Sequence, residues 1–224
     1  MGNLQFNRKR REDPVYVMWE ETQEWLAEYG RILAIVVAVV VVVGLVGMFW
    51  FNSQAAKESE AGVKLAEAKQ LYWAGDYASV IQRAQEVEDQ YGGTKAGVDA
   101  IRVKADAFFW QGDFPSAIGA YELYLDEVKV DTPVLSGVRE NLAQAHESQG
   151  EYEQAAQIYE AAAAEEGPRN LQAERFVDAA YAWKEAGNND RAVELFRRVT
   201  TEFADTPSYP VAEIGLGEMG LQDS

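Results

Sequence analysis

Residues 105–121, ADAFFWQGDFPSAIGAY, hold the pattern that decides the fold. Ahead of Gly112-Asp113, the residues Ile101, Ala105, Phe108 and Phe109 recur at three- and four-residue steps, which puts their side chains on one face of an α-helix. Behind it come Ala117 and Tyr121, a small residue four positions before a large one. Glycine accepts the left-handed conformation that closes a helix, and Pro115 is tolerated in the first turn of the next one. The small side chain lets two helix backbones approach while the ring fills the adjoining gap. The stretch predicts a helical hairpin.

The same mark recurs on both sides. Gly75-Asp76-Tyr77, Gly112-Asp113-Phe114, Gly150-Glu151-Tyr152 and Gly187-Asn188-Asn189 place their glycines 37, 38 and 37 residues apart. Each follows an apolar-periodic segment and precedes another. The second segments carry Val80 and Ala84, Ala117 and Tyr121, Ala155 and Tyr159, Ala192 and Phe196. Thr132-Pro133, Gly167-Pro168 and Thr206-Pro207 interrupt the helical pattern where two-helix units end. A fixed period of this size predicts a stacked array of helix pairs. We expect eight helices in four pairs and a ninth near residues 210–219 that covers the fourth pair. Gly215 and Gly217 mark that ninth helix as a weak one.

Upstream the chemistry changes. Residues 32–51, ILAIVVAVVVVVGLVGMFWF, contain no charge. As a helix they extend about 30 Å, the thickness of a bilayer's hydrocarbon core. The valines favour strands in water, but in lipid the backbone must satisfy its own hydrogen bonds, so a helix is expected. Arg8, Lys9, Arg10, Arg11 and Arg31 precede the run, and the next basic residue after it is Lys57. Basic residues stay on the cytoplasmic side. The expected division is a cytoplasmic leader over 1–31, a transmembrane helix over 32–51 and an extracytoplasmic repeat domain over 52–224. Trp50 fits the outer interface, Trp25 and Tyr29 the inner one. Within the leader, Asp13-Pro14 reads as a helix start, and Val15, Met18, Trp19, Thr22, Trp25, Leu26 and Tyr29 give a short amphipathic helix that lies on the inner leaflet or docks on another membrane subunit. Ser53-Gln54-Ala55 is a weak match to a cleavage site, and the apolar run exceeds a signal peptide's usual core.

Composition limits the function. The chain carries 37 acidic against 20 basic residues, a formal charge of −17, which opposes binding of nucleic acid through phosphates. There is no cysteine, so disulfides, thiolate metal sites and cysteine nucleophiles are excluded. A single histidine, His146, builds no histidine-rich metal centre and reads as a packing residue. No cofactor is expected, and no enzymatic activity.

The repeat region resembles the tetratricopeptide repeat family. The resemblance rests on Ala105, Phe108, Gly112, Asp113, Phe114, Ala117 and Tyr121 in one copy and on Ala143, Gly150, Tyr152, Ala155 and Tyr159 in the next. The family's usual period is about 34 residues, so this chain adds close to one helical turn per unit. Val80 and Asn189 depart from the pattern in the outer copies. The layout of leader, span and acidic repeats, with Trp25-Leu26-Ala27-Glu28-Tyr29-Gly30-Arg31 before the span and Phe49-Trp50-Phe51-Asn52-Ser53-Gln54 at its end, resembles the YfgM-like family of ancillary Sec translocon subunits.

The resemblance implies an all-α, tetratricopeptide-type solenoid whose first helices line a concave binding face. Its groove positions fall on Leu65, Lys69 and Tyr72, on Arg102, Asp106 and Phe109, on Glu140, Gln144 and Glu147, and on Val177, Tyr181 and Lys184. Tyr72, Phe109 and Tyr181 are the candidates for an apolar peptide segment, or else pack between units. Arg102 and Lys184 are the candidates for a polar contact. The Lys/Asn set with which some members clamp a C-terminal carboxylate has no match here. The implied function is a membrane-tethered adaptor of the bacterial inner membrane that binds an envelope chaperone, the Sec translocon or a client polypeptide. The alternative is a structural accessory subunit of a respiratory, photosynthetic or transport complex.

Overall fold

The computed structural model describes residues 14–128, 133–165 and 167–221, and the described residues fold into α-helices alone. The basic cluster Arg8 to Arg11, the expected cap Asp13, and Thr132 lie outside them. The chain divides into two units, Met1–Ala55 and Ala56–Ser224. The elements are α1 (Pro14–Trp73), α2 (Tyr77–Tyr91), α3 (Lys95–Gln111), α4 (Phe114–Glu127), α5 (Pro133–Ser148), α6 (Tyr152–Ala164), α7 (Arg169–Glu185), α8 (Asn189–Glu202) and α9 (Tyr209–Glu218).

In the first unit the apolar side chains from Ile32 to Phe51 are exposed throughout. By length and composition α1 is able to cross a membrane. Helical hydrogen bonding runs from Pro14 to Trp73 without a break at residues 31 or 51. No proline follows Pro14 in this helix, and Gly30 beside Arg31 is carried within it, so no helix breaker marks the changes of chemistry.

The second unit is built from one turn used four times. Gly75, Gly112, Gly150 and Gly187 adopt φ of 78°, 80°, 76° and 81°. At the second turn, Gly112 N–H donates to Phe109 C=O (3.0 Å) and Asp113 N–H to Phe108 C=O (3.0 Å), a Schellman closure that satisfies the end of α3. The residue after the glycine then starts the next helix. Asp76 accepts from Ser79 N–H, Asp113 from Ser116 N–H and Asn188 from Arg191 N–H. Gly-Asp, or Gly-Asn at the fourth turn, therefore ends one helix and caps its partner within two residues. Glu151 departs from this: it sits at the cap position of α6, but its carboxylate turns to His146 Nδ1 at 2.6 Å.

The core follows the small-large scheme. Val80, Ala84, Ala117, Tyr121, Ala155, Ala192 and Phe196 are fully buried, and Tyr159 nearly so. Buried alanines recur through the core clusters, among them Ala100, Ala105, Ala143, Ala179 and Ala180. Buried Arg175 ties three helices, donating to Ala162 C=O (3.0 Å) at the end of α6 and to the Ser136 hydroxyl of α5. A cation suits that helix C-terminus, where carbonyls are left over.

The ninth helix covers α8 with Ala212 and Leu216. A Cβ at Gly215 would lie 2.5 Å from the Phe196 ring, so this glycine admits the ring and the position read as a weakness is a packing slot. Gly220 (φ 74°) closes α9 with the same turn, Leu221 N–H donating to Leu216 C=O at 2.9 Å.

Candidate partner-binding face

The first helices of the pairs meet through side chains spaced about one repeat apart. Lys69 of α1 donates to Asp99 of α3 (2.7 Å). Arg102 donates from Nε to Asp99 (2.8 Å) and from Nη1 to Asp106 (2.8 Å). Asp106 also accepts from the Tyr121 hydroxyl (2.7 Å) and from Asn141 of α5 (3.4 Å). Burial pushes the Asp99 carboxyl up, but Arg102 and Lys69 outweigh it and hold the group below the usual carboxylate range. At Asp106 burial wins over its donors, and the carboxyl rises.

A cavity of about 270 Å³ opens between α1 and α3, lined by Lys69, Tyr72, Trp73, Arg102, Val103 and Asp106. Trp73 is 85% exposed. Tyr72 stands edge-on to Trp73 (5.7 Å between centroids) and to Tyr77 (5.6 Å). One repeat on, Phe109 is edge-on to Trp110 (5.8 Å) and to Phe114 (5.6 Å), and Trp110 is 60% exposed. A second cavity, about 580 Å³, lies at the C-terminal end between α8 and α9 and includes Thr200, Thr201, Tyr209, Ile214 and Leu221.

Of the five side chains singled out in the sequence, Tyr72 and Arg102 share the first cavity. Phe109 packs against the core of the second and third pairs. Tyr181 is edge-on to buried Phe196 at 5.0 Å. Lys184 pairs with Glu218 of α9 at 2.6 Å and lies over the Tyr181 ring. Leu65 and Val177, groove positions by resemblance, are buried in the core. Trp73 and Trp110, both exposed on this face, are not among the five. Their signal is a tryptophan two residues before the turn glycine in two successive copies.

Toward the C-terminus the face is acidic. Burial pushes the Asp178 carboxyl from 3.8 up to about 7, with Glu174, Glu140 and Glu147 adding to the rise and Arg175 opposing it. Burial also raises Glu147, although the Tyr159 hydroxyl donates to it at 3.2 Å. The pH dependence follows. The folded chain holds the Asp178 proton between roughly pH 4 and 7, where the unfolded chain has released it, so this group's contribution falls as pH rises through that window. Asp178→Asn removes this group's share of the dependence. The variant and the parent should unfold alike near pH 4, and the variant should be more stable by about 2 kcal/mol near pH 8, roughly half of what the whole rise corresponds to, because water reaches the carboxyl and screens its neighbours. Denaturant unfolding at the two pH values measures this, and parallel curves at both would remove the penalty assigned to Asp178.

Among the described residues, no group of three or more histidines or carboxylates is placed to hold a metal ion. Repeating hairpins with a lined face and braced aromatics define a helical-repeat interaction scaffold. The chain belongs to the tetratricopeptide repeat-like domain family, which it matches over residues 23–192. Such repeats are protein-interaction modules and not catalytic folds. No curated protein matches the chain. Among solved structures, the nearly identical TPR-like repeats of a kinesin-light-chain-like protein from Podosopora anserina superpose with a TM-score of 0.56 at 17% identity, covering 72% of this chain and 85% of that one. A glutamine-to-methionine variant of the same repeats gives 0.57 at 17% identity with the same coverage. At that identity the likeness is one of fold.

Proposed function

We propose that this protein is a membrane-tethered adaptor of the bacterial inner membrane. Residues 32–51 cross the bilayer, the leader stays in the cytoplasm, and the repeat domain on the extracytoplasmic side binds an envelope chaperone, the Sec translocon or a client polypeptide. The observation that carries this reading is the union, in one chain, of a 20-residue uncharged helical run with no buried side chain and a protein-interaction solenoid. The family match begins at residue 23 and so takes in both parts. Apolar surface of that size in water costs about 25 cal/mol per Å², a cost the hydrocarbon core removes. Arg31 before the run and Lys57 after it, with the basic cluster further upstream, support the orientation. A tether confines the repeats beside membrane partners and raises their effective concentration, so a weak face is sufficient.

A second reading, an accessory subunit held in a larger membrane complex, draws on Met18, Trp19, Trp25, Leu26 and Tyr29, which stand exposed on α1 before the uncharged run. Copurification after mild detergent extraction separates the two. Substoichiometric recovery of chaperone and translocon components supports the adaptor. A fixed ratio to one set of subunits, lost when Trp19 and Trp25 are replaced by alanine, supports the accessory role.

A further inference from the structure

The face formed by the first helices has two chemistries. At the first two pairs it is aromatic, with the cavity walled by Tyr72, Trp73 and Val103 and with Trp110 one repeat further on. A tryptophan 85% exposed forgoes most of what its burial would contribute, and edge-on Tyr72 braces it in that position. At the last two pairs the positions equivalent to Arg102, Tyr72 and Val103 hold Glu140, Glu147 and Asp178. The cations of the face are already engaged: Lys69 with Asp99, Arg102 with Asp99 and Asp106, and Lys184 with Glu218. Among the described residues no cation forms an ion pair with Glu140, Glu147, Glu174 or Asp178. A carboxylate-bearing ligand would meet carboxylates that no ion pair neutralises, whereas a cationic one would relieve their mutual repulsion.

We infer that this face takes a basic segment of a partner polypeptide, with a bulky apolar side chain entering the cavity between Tyr72, Trp73 and Val103 and lysines or arginines lying along Glu140, Glu147 and Asp178. The inference rests on the interaction reading of the domain and adds the chemistry of the partner. Charge complementarity selects the occupant: the chain's surplus of 37 acidic over 20 basic residues steers a basic segment inward, and the exposed indoles accept a cation over their faces.

The test uses the full chain in detergent micelles and three short fluorescein-labelled peptides, followed by fluorescence anisotropy. All three share a central Leu-Phe pair, which is flanked by Lys and Arg in the first, by Glu in the second and by Ser and Gln in the third. The basic peptide is expected to bind, to weaken as salt is raised, and to lose about tenfold in affinity in the Glu140→Gln/Glu147→Gln variant and about tenfold in Trp73→Ala. All three substituted side chains are at least partly exposed, and circular dichroism checks that the variants keep their helicity. Equal or tighter binding of the acidic or neutral peptide would overturn the assignment of charge. Unchanged binding in both variants would overturn the location. If none of the peptides binds, the partner chemistry is wrong, while copurification from the membrane still decides the interaction reading by itself.

Discussion

Tyr121→Ala lowers the stability of the repeat domain by about 4 kcal/mol, a fall of roughly 10 °C in the midpoint followed by far-ultraviolet circular dichroism. The ring is fully buried, and it joins α4 to its neighbours twice. Its body packs with Ala105, Ala117 and Leu142, and its hydroxyl donates to Asp106 at 2.7 Å. Truncation opens a cavity in a close-packed interface and takes one donor from a partly buried carboxylate that also depends on Arg102 and Asn141. Tyr121→Phe keeps the ring and loses only the donor, so it should cost about 1 kcal/mol. If the alanine variant melted together with the parent, the small-large scheme would not be what holds the hairpins together.

Gly97→Ala is the second large effect, about 3 kcal/mol of destabilisation by the same measurement. A Cβ at Gly97 would fall 2.0 Å from the Tyr91 carbonyl oxygen, 2.5 Å from its carbon and 2.9 Å from the Gly92 Cα. All three are backbone atoms, so relief requires the turn between α2 and α3 to move. That turn is fixed by Thr94, whose hydroxyl donates to Tyr91 C=O (2.7 Å) and accepts from Gly97 N–H (2.9 Å). Glu58 of α1 adds two contacts there, accepting from Lys95 and Ala96 N–H. Gly119→Ala is the contrast. A Cβ at that exposed helical position meets nothing within 4 Å, and the substitution should stabilise by up to about 1 kcal/mol. Equal effects of the two substitutions would show that helix propensity, not close approach, governs Gly97.

These contrasts show why the fold is legible in the sequence and the face less so. The turn glycines and the small-large pairs are short-range signals, each contained in a few residues, and the 37- and 38-residue spacing repeats them. The ion pairs of the face are long-range. Lys69 meets Asp99, 30 residues away, and Lys184 meets Glu218, 34 away, so Lys184 is committed to α9 rather than standing free. Phe109 and Trp110 are neighbours in sequence but point about 100° apart on the helix. One packs on the core and the other stands in water, and a family register that is right to one residue is too coarse to choose between them. Gly215 looks like a flaw in a helix until the Phe196 ring is seen against it. Glu151 fills a cap position by spacing, but its carboxylate is taken by His146. Local rules set the elements, and packing between repeats decides which side chains remain available to a partner.

The absence of native cysteine makes the topology directly measurable. Asn3→Cys in the leader and Ser148→Cys at the exposed end of α5 each give the full chain a single thiol. In intact spheroplasts a membrane-impermeant maleimide should label Ser148→Cys and should reach Asn3→Cys only after lysis. Labelling of Asn3→Cys with protection of Ser148→Cys would reverse the orientation. Recovery of the unlabelled chain from the soluble fraction without detergent would contradict the anchor itself.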